Sequence, residues 1–463
     1  MVGTDGEFEA VLRASALAAP AARRAPAKTR AAWLNAIADG LDANAEYLVA
    51  MAAHETRLPI TRLRIELRRS AFQARLFAKR LLARTLFDVR LDHEDPDWPL
   101  GPRPDLRRGY VALGPVLVFA AGHFPFALSV AGSDTVSALA AGCPVVVKAH
   151  HGHPDVSRAI ARVVAERLAG IDAPAGLFGL IEGRRDGAAA LQDARIRAAA
   201  FTGSRDSGRR LFDLAMSRPD PIPFYGQLGS TNPVLVTHAG WRERADIIAK
   251  EFVDAFTVDA GRFRTHPGVV LVPDLPDFLA RLDIPEIGPP LGRGVGDGFA
   301  ATADAAAHHP GVELAIIGPA AKSAPGARVL ATTAGQVLAD PSIIGSEFSG
   351  PAALLVGYSD QAEAHRVLEL FEGIWAATVQ GGADIDAQAA SALDLFAERA
   401  GRVIWNQWPT EVAVTDAQQH GGPWPAATVP SATAVGTAAA LRFVRPVAFQ
   451  NMPPAGLPLE LQS

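Results

Sequence analysis

Cysteine is all but missing from this chain: there is one, Cys143, in 463 residues. Disulfides within the chain and metal sites built from several thiolates are thereby excluded. Positive charge is not in surplus either, and the formal net charge is −5. Electrostatic attraction to nucleic acid or anionic lipid is therefore not expected of the chain as a whole. The local cluster Arg62, Arg64, Arg68 and Arg69, with Glu66 among them, reads as a solvated helix face. No run reaches the length of a membrane span without charge, Gly or Pro. Residues 1–10 are acidic and lack the apolar core of a signal peptide. These absences together predict a cytoplasmic protein with no membrane and no nucleic-acid partner.

What is present suits a soluble enzyme-sized protein, with 49% hydrophobic and 20% charged residues. The length predicts two or three domains. Trp33, Ile37 and Leu41 recur every four residues, as one buried helical face does. A second helix follows from Asn44 and a third runs through the Arg-rich region, while 92–104, crowded with Asp and Pro, reads as a loop. From Tyr110 an apolar run at 111–119 leads to a helix-like stretch ending at 141 and a strand at 144–147. Ile160, Val163, Val164 and Leu168 mark a helix that Gly170 ends. Strands at 177–181, 196–201 and 222–228 alternate with further helices. This alternation predicts a doubly wound α/β fold, a parallel sheet with helices on both faces. The pattern restarts near 228, with a strand at 233–236, a helix at 241–256 and strands at 268–272, 314–317, 352–356 and 403–406.

Two features point to a nucleotide. Gly203 and Ser204 end a strand, and Gly208 sits one turn into the next helix. Small residues there let phosphates approach backbone N–H groups at a helix N-terminus. Lys148 ends a strand of the same sheet, and strand ends beside a crevice are where open parallel sheets bind ligands. His150, His151 and His153 follow on a turn before Pro154. With no nearby thiol and Asp155 the one local acid, they read as nucleotide-contacting or exposed, and no metal is expected.

Several stretches together resemble the aldehyde dehydrogenase superfamily, and within it the α-ketoglutaric semialdehyde dehydrogenase branch. They are Gly114-Pro-Val to Phe124-Pro125-Phe126, 140–150 around Lys148, Phe201 to Gly208, Leu228-Gly-Ser-Thr-Asn-Pro233, and His420-Gly-Gly-Pro-Trp424-Pro425. The resemblance runs from about Ala31 to Pro453. It implies two α/β domains and a small β oligomerisation arm. The nucleotide-binding domain would take 1–84 and 110–227, the catalytic-type domain 228–440, and the arm 85–109 and 441–463. A homodimer or homotetramer is implied as well. Lys148, Gly203, Ser204 and Gly208 would face the cofactor, and Glu347 would match the carboxylate that holds the nicotinamide ribose. No acid follows Lys148 until Asp155, so NADP is favoured over NAD. Phe124, His266, His420 and Trp424 fall on the substrate side.

The family reaction uses a thiolate to attack the aldehyde, a carboxylate base to activate water, and an amide at the oxyanion. The positions that the resemblance assigns to these roles hold Arg264, Gln227 and His123, and Ser349 stands two places after Glu347 where the family has an aromatic residue. Cys143 opens a strand and reads as a small buried hydrophobe. These replacements predict a degenerate homologue or partner subunit that binds NADP(H) without oxidising aldehydes by a thioester. Two alternatives stay open. Arg264 could bind a small anionic ligand, with His123 or His266 as acid or base, or hydride chemistry could persist without a covalent step.

Overall fold

The β-branched run Val145–Lys148 has no polar residue before its end and is buried along its whole length, as a central strand of a two-sided sheet must be. In the computed structural model, which describes residues 5–287, 292–320, 326–348 and 350–462, that strand lies inside a five-stranded sheet. The chain divides into two compact units, one of residues 1–226, 414–418 and 432–463, the other of 227–413 and 419–431.

In the first unit, strands β1 (Arg90–Asp92) and β2 (Leu106–Ala112) precede β3 (Val116–Phe119), β4 (Val145–Lys148), β5 (Phe178–Ile181), β6 (Ala198–Thr202) and β7 (Phe224–Gln227). The five-stranded sheet has the order β5-β4-β3-β6-β7, and β3 pairs in parallel with both β4 and β6. The connections therefore step to one side of β3 and later cross to the other. This reversal opens a crevice at the strands' C-terminal ends. The apolar run 111–119 is two strands and not one. Gly114, at φ +124°, breaks it, so that β2 joins a separate antiparallel sheet of order β1-β2-β15 while β3 enters the core. The stretch before 141 is helical only over Ser133–Ala141. Gly170 does follow the helix Pro154–Ala169, but at φ −67° it stops it without a left-handed turn. Residues 432–440, assigned from sequence to the second domain, group with the first unit, as do both arm segments.

The second unit adds β8 (Val234–Val236), β9 (Val269–Val272), β10 (Glu313–Ile317), β11 (Arg328–Thr333), β12 (Ala352–Gly357), β13 (Ile374–Gln380) and β14 (Ala400–Trp405), and β15 (Val444–Gln450) returns to the first. Its sheet runs β10-β11-β12-β9-β8-β13-β14, with β10 antiparallel to β11. Alternate residues serve opposite faces. Leu235, Val269, Leu271, Leu354 and Val356 enter one apolar cluster, whereas Val234, Val236, Val270, Ala353 and Leu355 enter the other. Both faces are thus covered, at roughly 1.5–3 kcal/mol for each large aliphatic side chain fully buried. β11 and β13 were not foreseen, since RVLATT and IWAATVQ carry small and hydroxylated residues where the other core strands carry branched aliphatics. No described helix is long and apolar enough to cross a membrane.

Candidate active site

The loop leaving β7 organises the second unit's polar centre. Gly229 sits at φ +143°, and a Cβ there would come within 2.2 Å of both Glu347 carboxylate oxygens. The carboxylate thus rests on bare backbone, at a backbone angle that would strain any residue but glycine. Asn232, fully buried at φ +45°, sends its side-chain N–H groups to the carbonyls of Arg264 (2.8 Å) and His266 (2.9 Å). That amide ties the 228–233 loop to the turn bearing Arg264. On the far side of the same turn, the Thr265 hydroxyl donates to Thr410 O at 2.6 Å.

Arg264 Nη2 donates to Glu347 Oε2 at 3.1 Å and to Leu228 O at 3.2 Å. Its guanidinium carbon stands 5.6 Å from the Trp375 ring centroid, and Trp375 lies 5.2 Å from the His420 ring. Trp375 is fixed in turn by its indole N–H on Ala426 O at 2.9 Å, while its backbone N–H donates to Ser230 Oγ at 3.0 Å. Burial draws the Arg264 pKa down and Glu347 pushes it back up. A guanidinium stays charged through such shifts, so the pair is ionic. Arg264 therefore positions Glu347. This corrects the reading of Arg264 as the holder of an anionic ligand, because its charge is already met within the unit. Gln227, at the end of β7, is buried, and its amide oxygen has no partner among the described residues.

His266 is buried within the second unit. It is 4% exposed, and its Nδ1 stands 2.6 Å from Phe263 O, closing its own turn. Burial lowers its pKa, which keeps the ring neutral near pH 7 and removes it as an acid. His420 joins the Arg264–Trp375 group through Trp375, and Trp424 is 40% exposed on the same segment. Ser349 lies outside the described residues. His123 and Phe124 belong to the first unit, where the His123 carbonyl accepts from Arg62 (2.7 Å) and the two rings meet edge to face.

In the first unit, Lys148 ends β4, and Gly203 and Ser204 follow the end of β6. Ser204 caps the helix Arg205–Met216 by accepting from Ser207 N, and Gly208 is buried in its first turn. A side chain at Gly203 would collide with the Phe201 ring at 2.3 Å. Lys148 is 8% exposed, yet it donates to no protein group among the described residues. Burial lowers the Lys148 pKa, and an ammonium drawn partly out of water without a protein partner gains from a ligand that meets it. These residues fit a phosphate-bearing cofactor.

Cys143 is fully buried, its thiol donating to Phe443 O at 3.2 Å, and burial pushes its pKa up to about 11. It is a protonated packing group at neutral pH. Cys143→Ala should leave turnover within about twofold and cost roughly 1 kcal/mol of stability. Iodoacetamide should leave the native thiol unlabelled, and rapid labelling would contradict this placement.

His150, His151 and His153 stack at ring separations of 4.3 and 5.3 Å. Burial is the largest cause lowering all three pKa values, and His150 falls to about 3. In the unfolded chain each takes a proton near its ordinary value of about 6.5. The unfolded state therefore binds more protons in between, and stability is lost as pH falls below about 6.5 towards 3. His150→Gln should flatten that acid limb in urea titrations at stepped pH. An unchanged limb would show that the ring titrates normally.

The family model for the aldehyde dehydrogenase family matches residues 2–279. An α-ketoglutaric semialdehyde dehydrogenase 2 from Azospirillum brasilense is 41% identical over 95% of this chain and 86% of its own length. The chain belongs to the aldehyde dehydrogenase family. An α-ketoglutaric semialdehyde dehydrogenase from Acinetobacter baylyi is 36% identical over 93% of this aldehyde dehydrogenase family member and 83% of its own length. Among solved structures, 1-pyrroline-5-carboxylate dehydrogenase from Thermus with bound NAD superposes with a TM-score of 0.79. It covers 97% of this chain and 86% of that one, and at 17% identity the likeness concerns the fold. The expectation of a degenerate homologue or partner subunit that has lost aldehyde oxidation is overturned here. High identity to two proteins named for that activity runs through almost the whole chain.

Sequence reasoning missed Trp375 and the stapling role of Asn232. Trp375 sits on a strand whose pattern was not visible. Asn232 was within a quoted motif, but its three-dimensional partners lie more than thirty residues on.

Proposed function

We propose that this family member is a nicotinamide-dependent semialdehyde dehydrogenase, oxidising a short aldehyde that carries a distant carboxylate, the α-ketoglutaric semialdehyde class. The observation carrying this reading is the 41% identity over 95% of the chain to a protein of that name. A nicotinamide nucleotide, when bound, supplies a hydride acceptor. NADP is favoured over NAD, since no acid follows Lys148 before Asp155 to take a ribose 2′-hydroxyl. Lys148 and the N-terminus of the helix behind Ser204 would hold the phosphates, with Gly203 and Gly208 leaving the backbone open. Glu347 corresponds by family likeness to the carboxylate for the nicotinamide ribose, and Arg264 with Gly229 fixes where that carboxylate stands.

We further read the protein as a homodimer or homotetramer with 85–109 and 441–463 as its arm, which sedimentation equilibrium would test against a monomer. The activity is tested by comparing kcat/KM for α-ketoglutaric semialdehyde with that for an uncharged aldehyde of equal length. The keto acid semialdehyde should win by about a hundredfold or more. Equal values would remove the substrate class, and no nucleotide reduction with either would remove the activity.

A further inference from the structure

We propose that the groove between the helix Ala45–Thr56 and the helix Pro154–Ala169 binds a phosphate monoester carried on a flat apolar body, through Arg57, Arg162 and Tyr47. The groove lies wholly within the first unit. It goes beyond the semialdehyde dehydrogenase reading and does not depend on it.

Tyr47, Met51 and His54 recur at steps of four and three, so they share one face of the first helix. Asp155, Arg158, Ala159 and Arg162 share a face of the second by the same spacing. Together with Arg57 these two faces line a cavity of about 580 Å³. That volume lies within the range of small-molecule sites. Ala159 is buried and small, which leaves the space open, and Tyr47 presents its ring at 52% exposure.

The acids of the groove are engaged within the protein. Glu55 accepts from the N–H groups of Asp155 (2.9 Å) and Val156 (2.8 Å), capping the second helix. Arg158 donates to Asp155 Oδ1 at 2.5 Å and to the two Glu182 oxygens at 2.7 and 2.9 Å, so its fork is occupied. Arg57, Arg162 and His54 are exposed, and none forms an ion pair or side-chain hydrogen bond with a described residue.

Arg57 also stands at φ 61°, a left-handed angle that glycine adopts without strain. Its base is fixed, since Thr56 and Leu58 on either side are buried and the Thr56 hydroxyl donates to Ala52 O at 2.6 Å. An arginine held where glycine fits more easily points to a use for its side chain. Two guanidinium groups and an imidazole N–H offer more donors than the two oxygens of a carboxylate take up. A phosphate monoester, with three acceptor oxygens and nearly two charges, matches them. The phenol ring and the Met51 thioether suit a flat apolar body next to it.

Isothermal titration of the full-length protein with phenyl phosphate, benzoate and inorganic phosphate tests this. Phenyl phosphate should bind about tenfold tighter than either of the others, one comparison reading the phosphate and the other the ring. Arg57→Gly should weaken that binding by about tenfold while the unfolding midpoint holds or rises, because glycine relieves the left-handed angle. Arg162→Gln should weaken it to a similar extent, and Tyr47→Ala should abolish the advantage over inorganic phosphate. All three side chains are exposed, so all three variants should fold. Lys148→Met should bind phenyl phosphate as the unaltered protein does. Absence of binding, equal affinity for benzoate, or an affinity that survives both arginine variants would overturn the site. A loss seen in Lys148→Met alone would place the ligand at the end of β4 and overturn it as well. None of these failures touches the semialdehyde dehydrogenase reading, which turnover tests separately.

Discussion

Asn232→Ala is expected to lower the unfolding free energy of the second unit by about 4 kcal/mol. Two buried carbonyls, those of Arg264 and His266, lose their donor, at roughly 1–3 kcal/mol each. Alanine must also hold φ +45°, which adds about 1 kcal/mol. For a protein whose net stability is of order 5–15 kcal/mol, that is a large share. The functional loss should be larger than stability alone explains. The freed turn carries Arg264, and with it the support of Glu347, so turnover should fall by about a hundredfold even where the variant is folded. Asn232→Gly tolerates the backbone angle but still lacks the donor. It should recover about 1 kcal/mol of stability and none of the turnover. Urea midpoints and steady-state rates for the two variants decide the matter. A loss below about 1 kcal/mol in the alanine variant would mean that the turn holds itself.

Lys148→Met should separate stability from binding. Methionine matches the buried stem and removes a partly desolvated charge with no protein acceptor among the described residues. The protein without nucleotide should therefore become more stable, by about 1 kcal/mol, since a desolvated ammonium is relieved. Nucleotide affinity should move the other way and weaken by about a hundredfold, as loss of a charge-assisted phosphate contact implies. Thermal unfolding with and without saturating nucleotide reads both effects. A variant that is destabilised yet binds normally would make Lys148 a structural cation.

The doubly wound fold was legible because its strands announce themselves. Val145 to Val147 and Val269 to Val272 are unbroken aliphatic runs with helical periodicity between them. β11 and β13 were hidden because their residues are individually indifferent to strand or helix and gain their place from neighbours on both sides. In the candidate site, Lys148, Ser204 and Glu347 were legible through family likeness and position. Their partners were not. Nothing local in the sequence says that Arg264 closes on Glu347, eighty-three residues later, or that Gly229 exists to seat that carboxylate. The same blindness produced the error about activity. Reading Arg264 and Gln227 as isolated replacements suggested a lost enzyme, whereas the identity distributed along the chain speaks for a retained one.

The most direct measurement mixes the purified protein with α-ketoglutaric semialdehyde and NADP and follows the keto diacid and reduced nucleotide to completion. The account predicts one acid formed for each nucleotide reduced, at a rate on the order of 10 per second. Semialdehyde left unconsumed, or acid formed without matching nucleotide reduction, would contradict it.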